Sequence, residues 1–380
     1  MKLPVSLTII LSLFVGLLLA CEDHRLNPGT PANVSGLRFI GEQIVPNRFQ
    51  FANTTVGGLS SIDYRAETNQ FYIMADDQGT INPVRYYTAA LNYTPTAFTG
   101  VNFTGVTTLK NTDGSNFAPA SVDPEGLQFD AVNRRIVWSS EGLRNPAATP
   151  SPVFIQPFIR EANLDGTYAA DYPIPSLFQI KPTENGTRSN GSFEGLALTV
   201  DGRYLFAASE EPLYEDGPRA AVDVAGSPIR IIKYDRQTGQ AVGQFAYRLD
   251  AVHAAPQPAN QFQLNGVVDM IAISETQLLV MERSFAVGAT PDYSVKIYRI
   301  DLSSATNIAS VNGLTGASYT PVTKTLIYNL TSAGVGRIDN LEGMTLGPKL
   351  PNGNYSLVMV SDDNYGAAQI TQFLTFEVLP

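Results

Sequence analysis

The feature that most constrains the fold is a unit that occurs five times along the 380-residue sequence. Each copy contains a short apolar run, typical of a buried strand, that ends in an acidic residue. Intervals of 64 to 80 residues separate these acids, which are Asp77, Glu141, Glu210, Glu282 and Asp362. A repeat of this kind predicts an architecture in which one supersecondary unit packs against the next.

A second motif, Glu-Gly-Leu or Glu-Gly-Met, precedes three of the five runs. Its acids are Glu125, Glu194 and Glu342. The first and fourth units depart from it and carry Leu-Ser-Ser-Ile-Asp, ending at Asp63, and Gly-Val-Val-Asp, ending at Asp269. We therefore expect five related units that differ at the start of their first strand.

Each unit continues with further runs rich in β-branched and aromatic residues. The third has Ile229–Tyr234 and Gln244–Leu249, and the fourth has Val295–Ile300 and Lys324–Asn329. Such runs, separated by turns rich in glycine and proline, favour strands over helices. Four strands in each unit is the plan of a propeller blade. The sequence therefore predicts an all-β protein, a β-propeller of five four-stranded blades.

The last unit runs out of chain after Gln372–Val378 and has only three strands. We expect the N-terminal run Gly36–Val45 to pair beside it as the fourth strand, which would close the ring and remove an open sheet edge. A sixth blade within residues 82–120 or 142–190 is the alternative.

The N-terminus predicts the compartment. Lys2 is followed by an apolar run, Val5–Ala20, which is shorter than the ~20 residues of a membrane span and fits a signal peptide. It ends Leu-Leu-Ala-Cys, which resembles a bacterial lipobox, and Cys21 is the only cysteine. We expect a signal peptide at 1–20, a linker at 21–33 after a lipidated Cys21, and one propeller domain at 34–380. The lipid would anchor the protein to a membrane of the cell envelope, on the periplasmic or outer-membrane face.

The net charge of −10 argues against nucleic acid, because no basic stripe offsets the repulsion. The expected ligands are cations, small polar molecules, or small anions held by local arginines. The arginines in loops near the repeated acids are Arg144, Arg188, Arg283 and Arg337.

The first strand of each blade lines a propeller's channel, so the acids of the second motif should crowd the axis at one end. The strand-end acids would lie on the opposite face if each strand pair is not offset, a point that the sequence leaves open. Two interpretations of the motif also remain open. It can be a functional carboxylate, or simply the turn of the repeat, with glutamate capping amides and arginine pairing with the next blade.

Calcium is the metal that the sequence favours, because it takes six to eight oxygen ligands. The candidate ligands are Glu125, Glu194, Asp269 and Glu342, and the first, second and fourth of these are also the candidate catalytic residues. Zinc is disfavoured, since His24 and His253 are the only histidines. A serine triad would need His253, in a loop rich in proline and alanine.

Four segments together resemble the bacterial phytase-like family, also described by its esterase-like activity of phytase. They are Asp123–Leu127, Ser192–Leu196, Ala208–Pro212 and Asn340–Met344. The resemblance extends over about Val34 to Val378. It implies a propeller, an exported setting and hydrolysis of phosphate esters.

Two functions follow as alternatives. One is a calcium-dependent phosphoesterase, or a related carboxylic-ester hydrolase. The other is a non-catalytic binding propeller of the cell envelope for a small polar ligand or a protein. Glutamates that converge at metal-bridging distance would favour the first; glutamates paired with amides or with arginines of the next blade would favour the second.

Overall fold

The computed structural model describes residues 29–332 and 334–380, and most of its elements are strands. In chain order they are β1 (Gly36–Val45), β2 (Gln50–Phe51), β3 (Thr54–Thr55), β4 (Ser61–Arg65), β5 (Gln70–Ala75), β6 (Arg85–Thr94), β7 (Ala97–Thr108), β8 (Pro124–Asp130), β9 (Arg135–Ser140), β10 (Leu143–Asn145), β11 (Val153–Ile155), β12 (Phe158–Asn163), β13 (Tyr168–Tyr172), β14 (Phe193–Leu198), β15 (Tyr204–Ser209), β16 (Pro228–Asp235), β17 (Gln240–Arg248), β18 (Gln263–Ala272), β19 (Gln277–Ala286), β20 (Tyr293–Asp301), β21 (Thr323–Asn329), β22 (Leu341–Lys349), β23 (Tyr355–Ser361) and β24 (Thr371–Leu379). Short 3-10 helices occur at Ser176–Phe178, Tyr214–Asp216 and Leu330–Ser332. None of the described helices is long and apolar enough to cross a membrane.

Twenty of the strands form five four-stranded sheets, the blades of a β-propeller. From the channel outward, blade 1 is β4-β5-β6-β7, blade 2 is β8-β9-β12-β13, blade 3 is β14-β15-β16-β17, blade 4 is β18-β19-β20-β21 and blade 5 is β22-β23-β24-β1. The first strands of consecutive blades contact one another, and β22 contacts β4 to complete the ring. The predicted five four-stranded blades are confirmed. Residues 142–190, where a sixth blade was the alternative, contain the small hairpin β10–β11 and the outer half of blade 2.

The ring closes as the sequence predicts. Strand β1 pairs antiparallel with β24 along its length, with Leu37 opposite Val378 and Gln43 opposite Phe373. Arg38 also forms an ion pair with Glu377 across this junction. The N-terminal strand thus supplies the fourth strand that the last unit lacks.

Burial explains why the second strand of each unit is so apolar. Strand β5 is buried from Phe71 to Ala75, and β15 is buried from Leu205 to Ser209. The outer strand β7 instead alternates buried, half-buried and exposed residues. Both faces of an inner strand pack against neighbouring blades, so a continuous apolar run is favoured there, whereas an outer strand faces solvent and alternates.

The hydrophobic core lies between the blades. Five clusters of buried side chains each join two neighbouring blades; the one between blades 2 and 3, for example, contains Val137, Ile159, Leu196 and Ile232. Such packing stabilises the ring through burial of apolar area. It leaves the channel itself free for polar residues.

The channel has two ends. At one end, here called the mouth, the first strands begin and the second strands end. At the other end, here called the base, the first strands end; a small cavity there is lined by Asp63, Gln128, Thr199 and Thr345 among others. The segment before β1 crosses the base, where Gly29 and Thr30 line that cavity and Thr30 Oγ1 donates to the carbonyl of Ile273 at 2.8 Å.

The predicted signal peptide, the lipobox and Cys21 lie outside the described residues. Export and lipid attachment therefore stay predictions from the sequence.

Candidate active site at the channel mouth

The mouth holds an open cavity of about 300 Å³ to which every blade contributes. Acidic and amide side chains line most of it, with two arginines and an aromatic edge. Its lining includes Asp76, Glu125, Asn190, Glu194, Glu210, Glu211, Arg219, Phe262, Leu264, Arg283, Phe285, Tyr293, Asn340, Glu342, Asp362 and Asn364.

The antiparallel pairing of each inner hairpin brings the two sets of repeated acids to the same end. Pro124 lies opposite Ser140, Phe193 opposite Ser209, and Leu341 opposite Ser361. The beginning of the first strand is therefore beside the end of the second. The strand-end acids therefore lie at the same end of the channel as the motif acids, a point that the sequence left open.

The glycine of the Glu-Gly motif marks the place where neighbouring first strands approach most closely. A Cβ atom at Gly126 would lie 2.3 Å from the carbonyl oxygen of Glu194, and one at Gly343 would lie 2.8 Å from the Cα atom of Ser61. Only glycine permits this approach. The glutamate that precedes it therefore lies close to the channel axis.

One group of carboxylates gathers at blades 1 and 2. Ligand oxygens of Asp76, Asp123 and Glu125 all lie within 4.8 Å of one another. Asp76, rather than the expected Asp77, is the residue of blade 1 that enters the mouth. Asp77 instead forms a buried ion pair with Arg85, at 2.7 Å.

A second group gathers at blades 2 and 3. Oxygens of Glu141, Glu194 and Glu210 lie within 4.8 Å of one another, and all three side chains are buried. Glu141 accepts a hydrogen bond from the backbone N–H of Ser192. One oxygen each of Glu141 and Glu194 is buried with no hydrogen-bond partner, as is Oδ1 of Asp76 in the first group.

Burial and mutual repulsion raise the pKa of most mouth carboxyls. The pKa of Glu125 is well above its usual value because of burial and then the charges of Asp76 and Glu194. Burial and the nearby charge of Glu210 also raise the pKa values of Glu141 and Glu194. Like charges this close cannot all ionise without a proton or a cation between them.

Arg283 is a cation that contacts the second group. It forms ion pairs with Glu210, at 2.6 Å, and with Glu342, and it also donates to Asn340. Burial raises the pKa of Glu210 to about 7, although Arg283 lowers it. The Nε atom of Arg283 is buried with no partner, so this guanidinium retains one free donor.

Blade 4 thus gives the mouth a cation where the other blades give an acid. Successive residues of a strand point to opposite faces, so Glu282, the acid expected here, points away from the channel. It accepts hydrogen bonds from Tyr247 and Asn265 and pairs with Lys324 between blades 3 and 4.

The other predicted residues divide between the mouth and the scaffold. Of the three motif glutamates, Glu125 and Glu194 converge with other acids, while Glu342 pairs with Arg283. Asp269 does not reach the mouth: its carboxylate accepts backbone N–H groups of Met270 and Met344, at 2.8 and 2.7 Å. It joins the first strands of blades 4 and 5.

Three of the four predicted arginines lie outside the cavity, Arg144 in strand β10 and Arg188 and Arg337 in loops. Arg144 donates to the carbonyls of Lys181 and Pro182. Arg188 donates to the carbonyls of Pro212 and Gly217, and Arg337 pairs with Asp339. Arg219, which the sequence analysis missed, does line the cavity and pairs with Glu211 at 2.7 Å.

His253 lies in the loop between blades 3 and 4. Its Nδ1 atom is 2.9 Å from Ser284 Oγ, and its Nε2 atom is 2.9 Å from the carbonyl of Pro291. Ser284 is buried and also donates to the carbonyl of Leu264. Both ring nitrogens therefore have partners in the scaffold.

Comparison with known proteins agrees with the resemblance drawn from the motifs. The family model described as Phytase-like, esterase-like activity of phytase, matches residues 54–365. The chain belongs to this family. The matched span reaches from the hairpin before blade 1 into the last blade, so it includes both carboxylate groups of this phytase-like propeller. No curated protein matches its sequence.

Solved structures resemble the phytase-like chain only remotely. A thermostable family-43 glycoside hydrolase has 10% identity and a TM-score of 0.44, with 84% of this chain and 90% of that chain covered. Hydrazine synthase from Kuenenia stuttgartiensis has 10% identity and a TM-score of 0.37, covering 83% and 81%. The Dos1 propeller has 5% identity and a TM-score of 0.34, covering 86% and 69%. Likenesses this remote say nothing about what the chain binds or does.

Proposed function

We propose that this protein is a calcium-dependent phosphoesterase whose active site is the mouth. The observation that carries the proposal is the pair of carboxylate groups, Asp76 with Asp123 and Glu125, and Glu141 with Glu194 and Glu210, all buried except the half-buried Asp76. Family membership is consistent with hydrolysis but does not by itself give the substrate.

The two groups fit a hard divalent cation. Each offers three carboxylates, and calcium takes six to eight oxygen ligands. Three buried oxygens, from Asp76, Glu141 and Glu194, have no hydrogen-bond partner, and a buried polar atom without a partner is costly. Bound calcium would satisfy these oxygens and would supply charge neutralisation and polarisation of a phosphoryl group.

The chain's own residues would orient the substrate. Arg283 is fixed by Glu210 on one side and by Glu342 and Asn340 on the other, so its free Nε donor is held in place beside the cavity. Arg219, with a side chain that is 44% exposed, offers a second and more exposed donor. Arginine recognises phosphate through such fixed donors.

Turnover of p-nitrophenyl phosphate and of phytate, with calcium and with chelator, tests the proposal. We expect calcium-dependent hydrolysis, and at least about a hundredfold loss of kcat/KM in Glu194→Gln, because metal-ligand substitutions commonly cost that much or more. Glu275→Gln, at an exposed position near the base, is the matched control and should retain parental activity.

The same assay separates the alternatives. Hydrolysis of p-nitrophenyl acetate alone would make the protein a carboxylic-ester hydrolase. If calcium raises the melting temperature but no ester is turned over, the proposed enzyme is wrong. The mouth would then be the binding site of a non-catalytic envelope propeller.

We further propose that the protein is exported and lipid-anchored at Cys21, since a lipobox-like sequence surrounds the only cysteine. Cys21→Ser should move the protein from the membrane fraction to the soluble fraction, with unchanged activity. Equal detergent partitioning of parent and variant would contradict lipidation.

A further inference from the structure

The mouth is chemically asymmetric, and its unusual side is blade 4. Phe262, Leu264, Phe285 and Tyr293 line the same cavity as the carboxylates. Leu264 and Tyr293 both lie opposite Phe285 in the sheet. We call these four side chains the aromatic wall.

The rings of the wall form a continuous surface. The centroids of Phe262 and Phe285 are 6.1 Å apart, and those of Phe285 and Tyr293 are 4.7 Å apart. Phe285 is half-buried and Tyr293 is buried, so both are held by the blade. Phe262 is 54% exposed at the edge of the cavity.

A single exposed phenylalanine is ordinary in a soluble protein. Phe262 differs because it continues an aromatic surface into a polar cavity that also contains a buried guanidinium. Arg283 comes from the same strand as Phe285, two residues earlier, and its unpartnered Nε is buried. The anion-binding donor and the apolar surface therefore adjoin.

Charge limits what the mouth can accept. Seven carboxyls line the cavity, and Arg219 and Arg283 are the arginines of the lining. The carboxyls belong to Asp76, Glu125, Glu194, Glu210, Glu211, Glu342 and Asp362. A ligand with many phosphates would meet strong repulsion even with calcium bound. A ligand with a single phosphoryl group would meet weaker repulsion, because it carries fewer negative charges.

From this asymmetry we propose that the substrate is an aryl phosphate monoester. Its phosphoryl group lies beside Arg283 and its aromatic ring packs against Phe262 and Phe285. The inference rests on the proposed phosphoesterase function and specifies its substrate class. It predicts that a phosphate ester with an aromatic group is preferred over phytate.

Calorimetric titration in calcium buffer tests the wall with two probes, phenylphosphonate and methylphosphonate. Their P–C bond resists hydrolysis, and they share the anionic group and differ in the ring. The parent should bind phenylphosphonate more tightly. Phe262→Ala should weaken phenylphosphonate binding by about threefold to tenfold, the usual worth of one aromatic contact, and leave methylphosphonate binding unchanged. Because Phe262 is exposed, the fold should tolerate the change.

Phe49→Ala is the matched control, since Phe49 is 39% exposed, stacks on Phe103 and is outside the cavity lining. It should change neither affinity. Equal binding of the two probes by the parent, or equal losses for both in Phe262→Ala, would overturn the aromatic wall and leave the phosphoesterase proposal standing. Failure of the parent to bind either probe would overturn both.

Discussion

Buried acids occur in two settings in this propeller. In the scaffold outside the mouth, some are matched by an arginine: Asp216 with Arg230, and Asp130 with Arg236. At the mouth, Glu125, Glu141 and Glu194 are buried mainly among other acids. Although burial raises the pKa of Asp130, Arg236 outweighs it and the pKa is lowered, whereas the mouth carboxyls have raised pKa values.

The difference separates scaffold from site. A paired buried acid costs the fold little beyond the desolvation that its arginine offsets. An acid buried among acids destabilises the folded state unless something else binds there. The mouth therefore has the character of a functional site, where unfavourable electrostatics persist because a ligand uses them.

The largest expected effect is at the fully buried pair of Arg230 and Asp216. Arg230→Met would leave Asp216 buried without a cation, and we expect the free energy of unfolding to fall by about 3–5 kcal/mol. Urea unfolding measures it. Arg160→Met, which breaks a pair whose Asp171 is 47% exposed, should cost below about 1 kcal/mol. Similar losses in both variants would remove the distinction between buried and exposed pairs.

Arg283→Met should lower the stability of the metal-free protein and increase the stabilisation that calcium gives. In chelator it should lower the free energy of unfolding by about 2–3 kcal/mol, since Glu210 and Glu342 lose their partner. In calcium it should show a larger metal-dependent stabilisation than the parent, because a nearby positive charge has been removed. Unfolding titrations with and without calcium give both values. A smaller calcium effect in the variant would contradict a cation site beside Arg283.

Glu194→Gln should be less stable than the parent only when calcium is present. The parent should gain about 2.7 kcal/mol when free calcium is about 100 times Kd, and the variant should keep less than about 1 kcal/mol of that gain. In chelator the variant should be as stable as the parent or slightly more so, since one repelling carboxyl is removed. Thermal unfolding measures both, and calcium stabilisation that survives the substitution would count against this site.

A smaller, pH-dependent effect is expected at the base. Burial raises the pKa of Asp63 to about 6, although the N–H groups of Phe129 and Tyr64 and the hydroxyl of Thr345 lower it. The folded state therefore holds this proton more tightly than the unfolded state. Its contribution to stability is present below about pH 4 and is lost as the pH rises to about 6.

Asp63→Asn removes this titration. Between about pH 4 and 6, the parent should lose about 2 kcal/mol more of its free energy of unfolding than the variant does. Urea unfolding of both proteins across that range measures the difference. Parallel curves would show that the carboxyl of Asp63 titrates normally.

Much of the fold could be predicted because repetition and apolar runs are local signals. The missing strand of the last unit led directly to the pairing of Leu37 with Val378. The mouth could be predicted only in part. To predict that Asp76 enters the mouth and Asp77 does not, one needs the strand register, because adjacent residues of a strand point to opposite faces. Arg188 and Arg337 lie in loops whose course no periodicity describes, and Arg144 lies in the small hairpin β10–β11.

Asp269 illustrates the same limit at a motif position. In the units that carry the Glu-Gly motif, a glycine at this place allows neighbouring first strands to approach closely. Here the side chain of Asp269 occupies the place, and its carboxylate accepts backbone N–H groups instead of facing a ligand. Phe262 belongs to none of the repeated motifs, and its place beside the carboxylates is evident only from the cavity that they line together. A site built from five blades depends on distances between units, which a single unit's sequence does not contain.

The path of the chain before β1 determines how a lipid-anchored molecule would stand on its membrane. Gly29 and Thr30 lie at the base, and seven residues lie between Cys21 and Gly29, so the two can be at most about 29 Å apart. A lipid on Cys21 would hold the base toward the bilayer and direct the mouth outward. The mouth would then be open to solutes diffusing through the compartment, not to lipid headgroups.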